Sequence, residues 1–439
     1  MLVRLFGSNF RSLKEKFELS MVAADLKRKA DCDRGVIETT IAGMSKPLRL
    51  LRSVAIYGPN ASGKSTVLTA AGALRWLGTD SSANSKPGAK IPTYEPFLLN
   101  DESRTSPIEL GCDVVYNNSI LRYEIRYSTN AILSETLTLI QNQSQSILID
   151  RQPSGEVRGD LFLKSLANRL YVKEMQPNVA VLSKLAQHGP TKGKESVQPY
   201  YKTIRNATEF QDYSTATLTR NSFGDSHYDR FADEPQYREW IMRHLIQAAD
   251  VGIRDVNTHR KKLELPKEIM KGFKELGSEF KFEFPDTSVI VSFVHEGSSD
   301  QPIDYSLESS GTKKLFYIAS DWWKLANEPI TIFADELSAS LHPRLLDSLI
   351  RAVNDAPQDH VPSQLIFATH DTGLLESRDG LPPALRRDQV YFTKKDDKGV
   401  SELYSLAEFK EDARPVHNIR KRYLSGLYGA IPSVDKLSL

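Results

Sequence analysis

Hydrophobic positions along the chain follow three successive patterns. Near the start they alternate. Leu2, Arg4 and Phe6 interleave with Val3 and Leu5, then Gly7-Ser8-Asn9 marks a turn, so residues 1–20 are predicted to form strand, turn, strand. Residues 21–50 are mixed and charged and read as a loop-rich connection. Leu51 to Tyr57 is a short apolar run that suits a buried strand, and Val67, Leu68, Ala71, Leu74 and Leu77 then recur at helical spacing from Ser65 onward. After a polar loop over Thr79–Pro92, alternation returns at Ile108–Val114 and Leu121–Tyr127. Asn117-Asn118-Ser119 between them is a hairpin signal, and Ile132–Leu139 and Ser146–Ile149 extend the predicted antiparallel meander.

The second pattern, from about 160 to 257, is helical and polar, broken at Pro177, Gly189-Pro190, Pro199 and Pro235. It carries no sustained heptad, so a compact helical insertion is expected in place of a coiled-coil arm. Lys267–Glu279 reads as a further helix and Ser288–His295 as a strand. The third pattern is a series of short buried strands, Ile330–Ala334, Gln364–Ala368 and Gln389–Thr393, with a helix over Arg344–Val353. Strands alternating with helices predict an α/β fold with a mostly parallel sheet.

Composition changes this picture little. The chain has 439 residues, 40% hydrophobic and 26% charged, with a formal net charge of +1. That near-balance excludes a global polyanion-binding signature. Two cysteines, Cys32 and Cys112, stand far apart, so neither a disulfide framework nor a zinc cluster is expected. No apolar run resembles a signal peptide or a bilayer span, and a cytoplasmic protein with no membrane role of its own is expected.

The chemistry concentrates at four places. Gly58-Pro-Asn-Ala-Ser-Gly63-Lys64-Ser65 fits the phosphate-binding loop pattern between a buried strand and a helix, the context that motif requires. Glycines let backbone N–H groups turn toward a phosphate, and the helix N-terminus adds partial positive charge. Gly58, Asn60, Gly63 and Thr66 are therefore candidate nucleotide contacts, Lys64 the residue reaching the terminal phosphates, and Ser65 a Mg2+ ligand. Asp335-Glu336 at the end of an apolar strand can divide two tasks, Asp335 on the metal shell and Glu336 facing the attacking water. Ser306–Leu315 places Ser309, Ser310, Gly311 and Thr312 at the start of a helix, whose N-terminus either faces a phosphate or is simply capped. His370 ends the strand Leu365–Ala368, where a histidine contacts a phosphate or serves the local structure.

In this order, the motifs resemble those of ABC-type ATPases: phosphate loop, signature (Ser309–Thr312), acidic pair, D-loop (Ser338-Ala-Ser-Leu-His342) and switch histidine (His370). That resemblance implies an ABC-type P-loop head, a mixed sheet with helices and an antiparallel meander, carrying a mainly helical insertion. It also implies ATP and Mg2+ as cofactors, ATP hydrolysis, and a homodimer or higher oligomer in which the signature helix comes from the opposite subunit. Lys64 and Ser309 stand 245 positions apart, a spacing similar to SMC, RecF and OLD-like ATPases and unlike compact transporter subunits. Ser8-Asn9-Phe10-Arg11-Ser12-Leu13 resembles the opening of those proteins. Asn9, Arg11 and Ser12 are either nucleotide contacts or a polar turn.

Tyr94–Leu99, Ala249–Ile253, Ser309–Thr312 and Arg422–Pro432 resemble a narrower family, the bacterial anti-phage defence ATPases, RloA-like and the AriA type of PARIS systems. That resemblance implies a separately encoded effector, a nuclease or toxin, and allows a phage-encoded trigger or DNA as further partners. The alternatives are a SMC/RecF-like DNA-repair ATPase and, more remotely, a transporter subunit. Three departures stand out: Glu95-Pro96-Phe97 where many ABC proteins carry glutamine, Ser310 and Thr312 within the signature, and His342 closing the D-loop. After His370, Asp396-Asp397 sits in a polar turn, so no built-in nuclease centre is expected. Basic clusters at His259–Lys262 and Arg420–Arg422 are either solvated helix or loop faces or contacts for nucleic acid or an acidic protein. Three segments are expected: 1–155 and 286–439 as the ATPase lobes, and 156–285 as the insertion.

Overall fold

A computed structural model describes residues 1–25, 33–142, 144–163, 165–214, 226–249, 252–262, 287–297, 301–378, 380–409 and 418–432. The helix expected over Lys267–Glu279, and Cys32, lie outside the described residues. The chain forms two compact units. One comprises residues 1–212, 325–338 and 346–439, the other residues 213–324 and 339–345. These limits differ from the three segments expected: residues 156–212 fall in the first unit and 286–324 in the second.

The first unit is built on two large sheets. In the six-stranded sheet the order is Glu209–Asp212, Thr331–Asp335, Gln364–Ala368, Ser53–Tyr57, Val390–Lys395, Ser401–Ser405. The first five run parallel and the last is antiparallel. The strand Ser53–Tyr57 is buried at every position, as a central parallel strand covered on both faces must be. The seven-stranded sheet is the antiparallel meander. It runs Val157–Arg158, Ser144–Arg151, Ile132–Gln141, Ser119–Tyr127, Ile108–Tyr116, Leu2–Ser8, Phe17–Ser20. Its Asn117-Asn118 turn has φ of 43° and 58°, the paired positive values of a tight hairpin that asparagine tolerates.

The helix Lys64–Arg75 is packed within this unit. Val67, Leu68, Ala71 and Leu74 share one core with Val54, Ile56, Phe333 and Ile366 of one sheet and Leu110, Cys112, Leu121 and Tyr123 of the other. Fully buried Gln364 stitches the sheets: its Oε1 accepts from Leu2 N–H (2.6 Å) and its Nε2 donates to the Leu2 and Leu51 carbonyls (3.1 and 3.0 Å). Buried Glu135 fastens the helix Val181–His188 to the meander. Its carboxylate accepts from the Val181 and Leu182 N–H groups (2.6 and 3.0 Å) and from the Tyr123 hydroxyl (3.1 Å). Those N–H groups would otherwise be orphaned at a helix start.

Four differences from the sequence pattern have local causes. Residues 21–50 contain a two-stranded ribbon, Val36–Thr39 against Leu48–Leu51. The expected polar loop after Thr79 opens with a helical turn, Ser81–Asn84, after the helix widens over Trp76–Asp80. Buried Ser81 there accepts from Ala180 N–H (3.1 Å). Glu209–Asp212 is a strand within the helical stretch, held by parallel pairing to Thr331–Asp335. The basic run His259–Lys262 ends a strand, Ile253–Lys262, where a helix or loop was expected. Charged side chains suit that strand because it lies at a sheet edge.

The second unit contains a three-stranded antiparallel sheet, Ile253–Lys262, Thr287–His295 and Ile303–Asp304. His227 lies buried among Phe231, Tyr237 and Phe316, its Nδ1 2.7 Å from the Tyr237 hydroxyl. Burial pushes its pKa down to about 4. A histidine depressed in the folded state contributes stability that is intact above its unfolded pKa, near 6.5, and lost as pH falls through the folded value. Urea unfolding from pH 7 to pH 4 is expected to show a loss of about 3 kcal/mol from this group. His227→Phe should flatten that part of the profile; an unchanged slope would assign it elsewhere.

Candidate functional site

Three neighbouring parallel strands end on one edge of the six-stranded sheet. Ser53–Tyr57 runs into the glycine loop, Gln364–Ala368 leads to Thr369 and His370, and Thr331–Asp335 ends in the acidic pair. The registers align these ends, Ala334 opposite Phe367 and Ala368 opposite Ile56. Ligands of open α/β sheets gather outside such carboxyl ends.

Gly58 (φ 153°) and Gly63 (φ 110°) take conformations that L side chains rarely adopt. A Cβ at Gly63 would also stand 2.6 Å from the Ser401 Oγ. Gly63 turns the chain into the helix Lys64–Arg75. Ser62 Oγ and Thr393 Oγ1 share a 2.6 Å hydrogen bond that ties the loop to the sheet. Asn60 and Ala61 lie exposed on the crest, and Ser65 is exposed at the helix start. Thr66 is buried, its hydroxyl 3.3 Å from that of Ser12, which leaves its backbone N–H as the group able to serve a phosphate.

Lys64 Nζ donates to the carbonyls of Gly58 (2.9 Å) and Pro59 (2.8 Å), so the ammonium is held inside the loop. Burial lowers its pKa, opposed by the charges of Asp335 and Glu336. Desolvation also lowers the pKa of His370, assisted by Lys64 and opposed by Glu336. These shifts have one reading: the ammonium, the imidazole and the acidic pair share one electrostatic environment. His370 is held neutral there and can donate its ring N–H to a phosphate oxygen.

Asp335 Oδ1 accepts from the Glu336 N–H (3.0 Å), and exposed Glu336 adopts φ 55°. Among the described residues, eight non-glycines have positive φ. Three are hairpin or loop asparagines, Asn117, Asn118 and Asn142. The other five are Asn9, Arg11, Ala61, Glu336 and Ser340, all within the motifs singled out by sequence. Such conformations persist only where the surroundings impose them.

Arg11 donates to Glu95 Oε2 (2.7 Å) and to Thr69 Oγ1 (3.3 Å) on the phosphate-loop helix. Asn9 has a structural role: its Nδ2 donates to the Ser103 and Ser106 carbonyls (both 3.0 Å) and its Oδ1 accepts from Phe97 N–H.

The second unit carries the signature residues. Ser309 Oγ accepts from the Thr312 N–H (3.1 Å) and caps the helix Ser310–Asn327, while Ser309 and Ser310 remain exposed. Gly311 packs against the D-loop; a Cβ there would meet the Ser340 carbonyl at 3.0 Å. His342 Nδ1 accepts from the Arg344 N–H (3.2 Å), so the histidine that replaces aspartate caps the helix Pro343–Asn354.

Residues 53–376 match the family described as AAA domain, putative AbiEii toxin, Type IV TA system. The chain belongs to that family. The match begins at the strand before the glycine loop and ends shortly after His370, so it spans every motif from Gly58 to His370. A P-loop nucleotide-binding head is thereby established for this AAA-family chain, whose α/β architecture with meander agrees with the expected fold class. Comparison with curated proteins returns no match. Solved structures similar to it include an SMC head bound to the C-winged helix domain of ScpA, at 12% identity, TM-score 0.43, covering 93% of this chain and 99% of that one. The SMC head domain from Thermotoga maritima is similar at 13% identity and TM-score 0.36, covering 92% and 98%. An Smc head with an extended coiled coil, bound to a ScpA domain derived from Pyrococcus furiosus, follows at 12% and 0.39, covering 97% and 99%. No described helix is long and apolar enough to cross a membrane.

The donor set suits magnesium held with a nucleotide. No cluster of three or more potential protein ligands occurs among the described residues. Mg2+ usually takes one or two protein oxygens together with phosphates and water. Ser65 and Asp335 are the residues that would hold it, and when bound it would neutralise charge on the transferred phosphoryl group.

Proposed function

We propose that this AAA-family ATPase is a nucleotide-gated switch, in which two chains close around ATP and the closed state controls a separately encoded effector in antiviral defence. The observation that carries this reading is the delivery of Lys64, Asp335, Glu336 and His370 to one sheet edge. Lys64 binds the terminal phosphates, Glu336 accepts the proton of the attacking water, and neutral His370 reads the terminal phosphate. The exposed Ser309 and Ser310 of a partner chain complete each site through the N-terminal N–H groups of their helix.

The family description, with its toxin and toxin–antitoxin vocabulary, supports a partner of nuclease or toxin type. A DNA-handling ATPase is less favoured. Within the basic run, Arg260 is committed to Asp229 (2.9 Å) and Asp233 (2.5 Å). In the tail cluster, Arg420 pairs with Glu376 (2.6 Å).

Light scattering with ATP and Mg2+ tests the switch. The mass should double with ATP and stay at that of one chain with ADP. A mass independent of nucleotide would remove the clamp from the account.

A further inference from the structure

Resting on the nucleotide site just described, a second group beside it has no assigned task. Glu95 stands where many ABC-type proteins carry a glutamine, and it faces Arg11. The two residues are joined twice, through the side chains (Nε to Oε2, 2.7 Å) and through the backbone, Arg11 N–H to the Glu95 carbonyl (2.7 Å). Arg11 also reaches Thr69 Oγ1 (3.3 Å), and that hydroxyl donates to the Ser65 carbonyl (2.6 Å). The guanidinium therefore lies over the first turns of the phosphate-loop helix, one hydroxyl away from Ser65. Its neighbour Ser12 is held between that helix and the strand Ser401–Ser405, its Oγ 3.3 Å from Thr66 Oγ1 and its carbonyl accepting from Ser401 N–H (2.7 Å).

We propose that Glu95 is a negative gate on nucleotide binding, holding Arg11 on a carboxylate that an incoming triphosphate must displace. A guanidinium binds carboxylate and phosphate through the same planar fork, so the two anions compete for it. The pair is partly exposed, 37% for Arg11 and 46% for Glu95, so the exchange exposes no buried charge. The turn itself does not depend on the carboxylate. The backbone bond from Arg11 to Glu95, and that from Phe97 N–H to Asn9 Oδ1 (3.3 Å), persist when the side chain is neutralised. A glutamine at this position removes the competition while leaving the turn in place.

A double-mutant cycle on the full chain tests the proposal. The probe is a fluorescent, non-hydrolysable ATP analogue with Mg2+, and the readout is its dissociation constant. Glu95→Gln is expected to tighten binding about threefold to fivefold, the range an exposed ion pair can impose. In an Arg11→Ala background the same change should have no effect. Equal tightening in both backgrounds would mean that Glu95 acts on the phosphates directly, and no tightening in the native background would mean that it gates nothing; either result overturns the proposal. Failure of the unaltered chain to bind the probe is a different outcome, which removes the nucleotide site itself. Thermal melting of Glu95→Gln close to that of the native chain excludes a folding artefact.

Discussion

Glu336→Gln is expected to reduce ATP turnover by about two to four orders of magnitude while leaving ATP binding intact. The substitution keeps shape and hydrogen-bonding capacity but removes the group that takes a proton from water. Its placement fits this proposed role. Glu336 follows the strand end at φ 55°, exposed, next to the Asp335 carboxylate, and its charge acts on both Lys64 and His370. Because hydrolysis is the step removed, the ATP-bound dimer should accumulate, visible as a long-lived doubled mass in light scattering. Turnover at the native rate would remove Glu336 from the chemistry and leave Asp335 as the remaining acid.

Ser310→Glu should abolish turnover to a similar degree, roughly a hundredfold or more, without harming the fold. A carboxylate in the first turn of a helix is favourable to the helix, typically by about 0.3–1 kcal/mol. The same carboxylate repels a phosphate approaching that N-terminus. Ser310 is exposed, whereas the cap is supplied by Ser309, so the substitution spares the Thr312 N–H bond. Loss of activity at unchanged or slightly raised Tm is therefore the expected signature in a turnover assay paired with a melt. Retained activity would mean that this helix end never meets a phosphate.

The placement of the candidate site's motifs was legible because they combine two independent signals. Gly58–Ser65 has the residue spacing and also the strand-to-helix context, and the structure supplies both. The positions of Asp335-Glu336 and His370 were legible for a similar reason: each follows a short apolar run, and the two runs are neighbouring strands, the second of them beside Ser53–Tyr57. Elements held by distant partners were not legible. The strand Glu209–Asp212 has no apolar alternation of its own and exists through pairing with Thr331–Asp335. The ribbon over Val36–Leu51 is likewise defined by its partner. Polar residues whose partners are remote in sequence also escaped notice, notably Glu135 at a helix start and Gln364 between the sheets. Asn9 read equally as a nucleotide contact or as part of a polar turn, and the structure gives its amide a structural task, bonding to the segment 97–107. The capping role of His342, a departure within the D-loop, was likewise invisible because it depends on local backbone geometry.

The central claim is that each active site takes its phosphate loop from one chain and its signature helix from another. Mixing two inactive variants, Lys64→Ala and Ser310→Glu, tests it directly. In a head-to-tail dimer of one of each, the Lys64 of one chain meets the unaltered Ser310 of the other, and one intact site is restored. An equal mixture should recover roughly a quarter of native turnover, since half of the dimers are mixed and each holds one working site of two. A mixture as inactive as its components, from chains shown to exchange partners, would contradict the account.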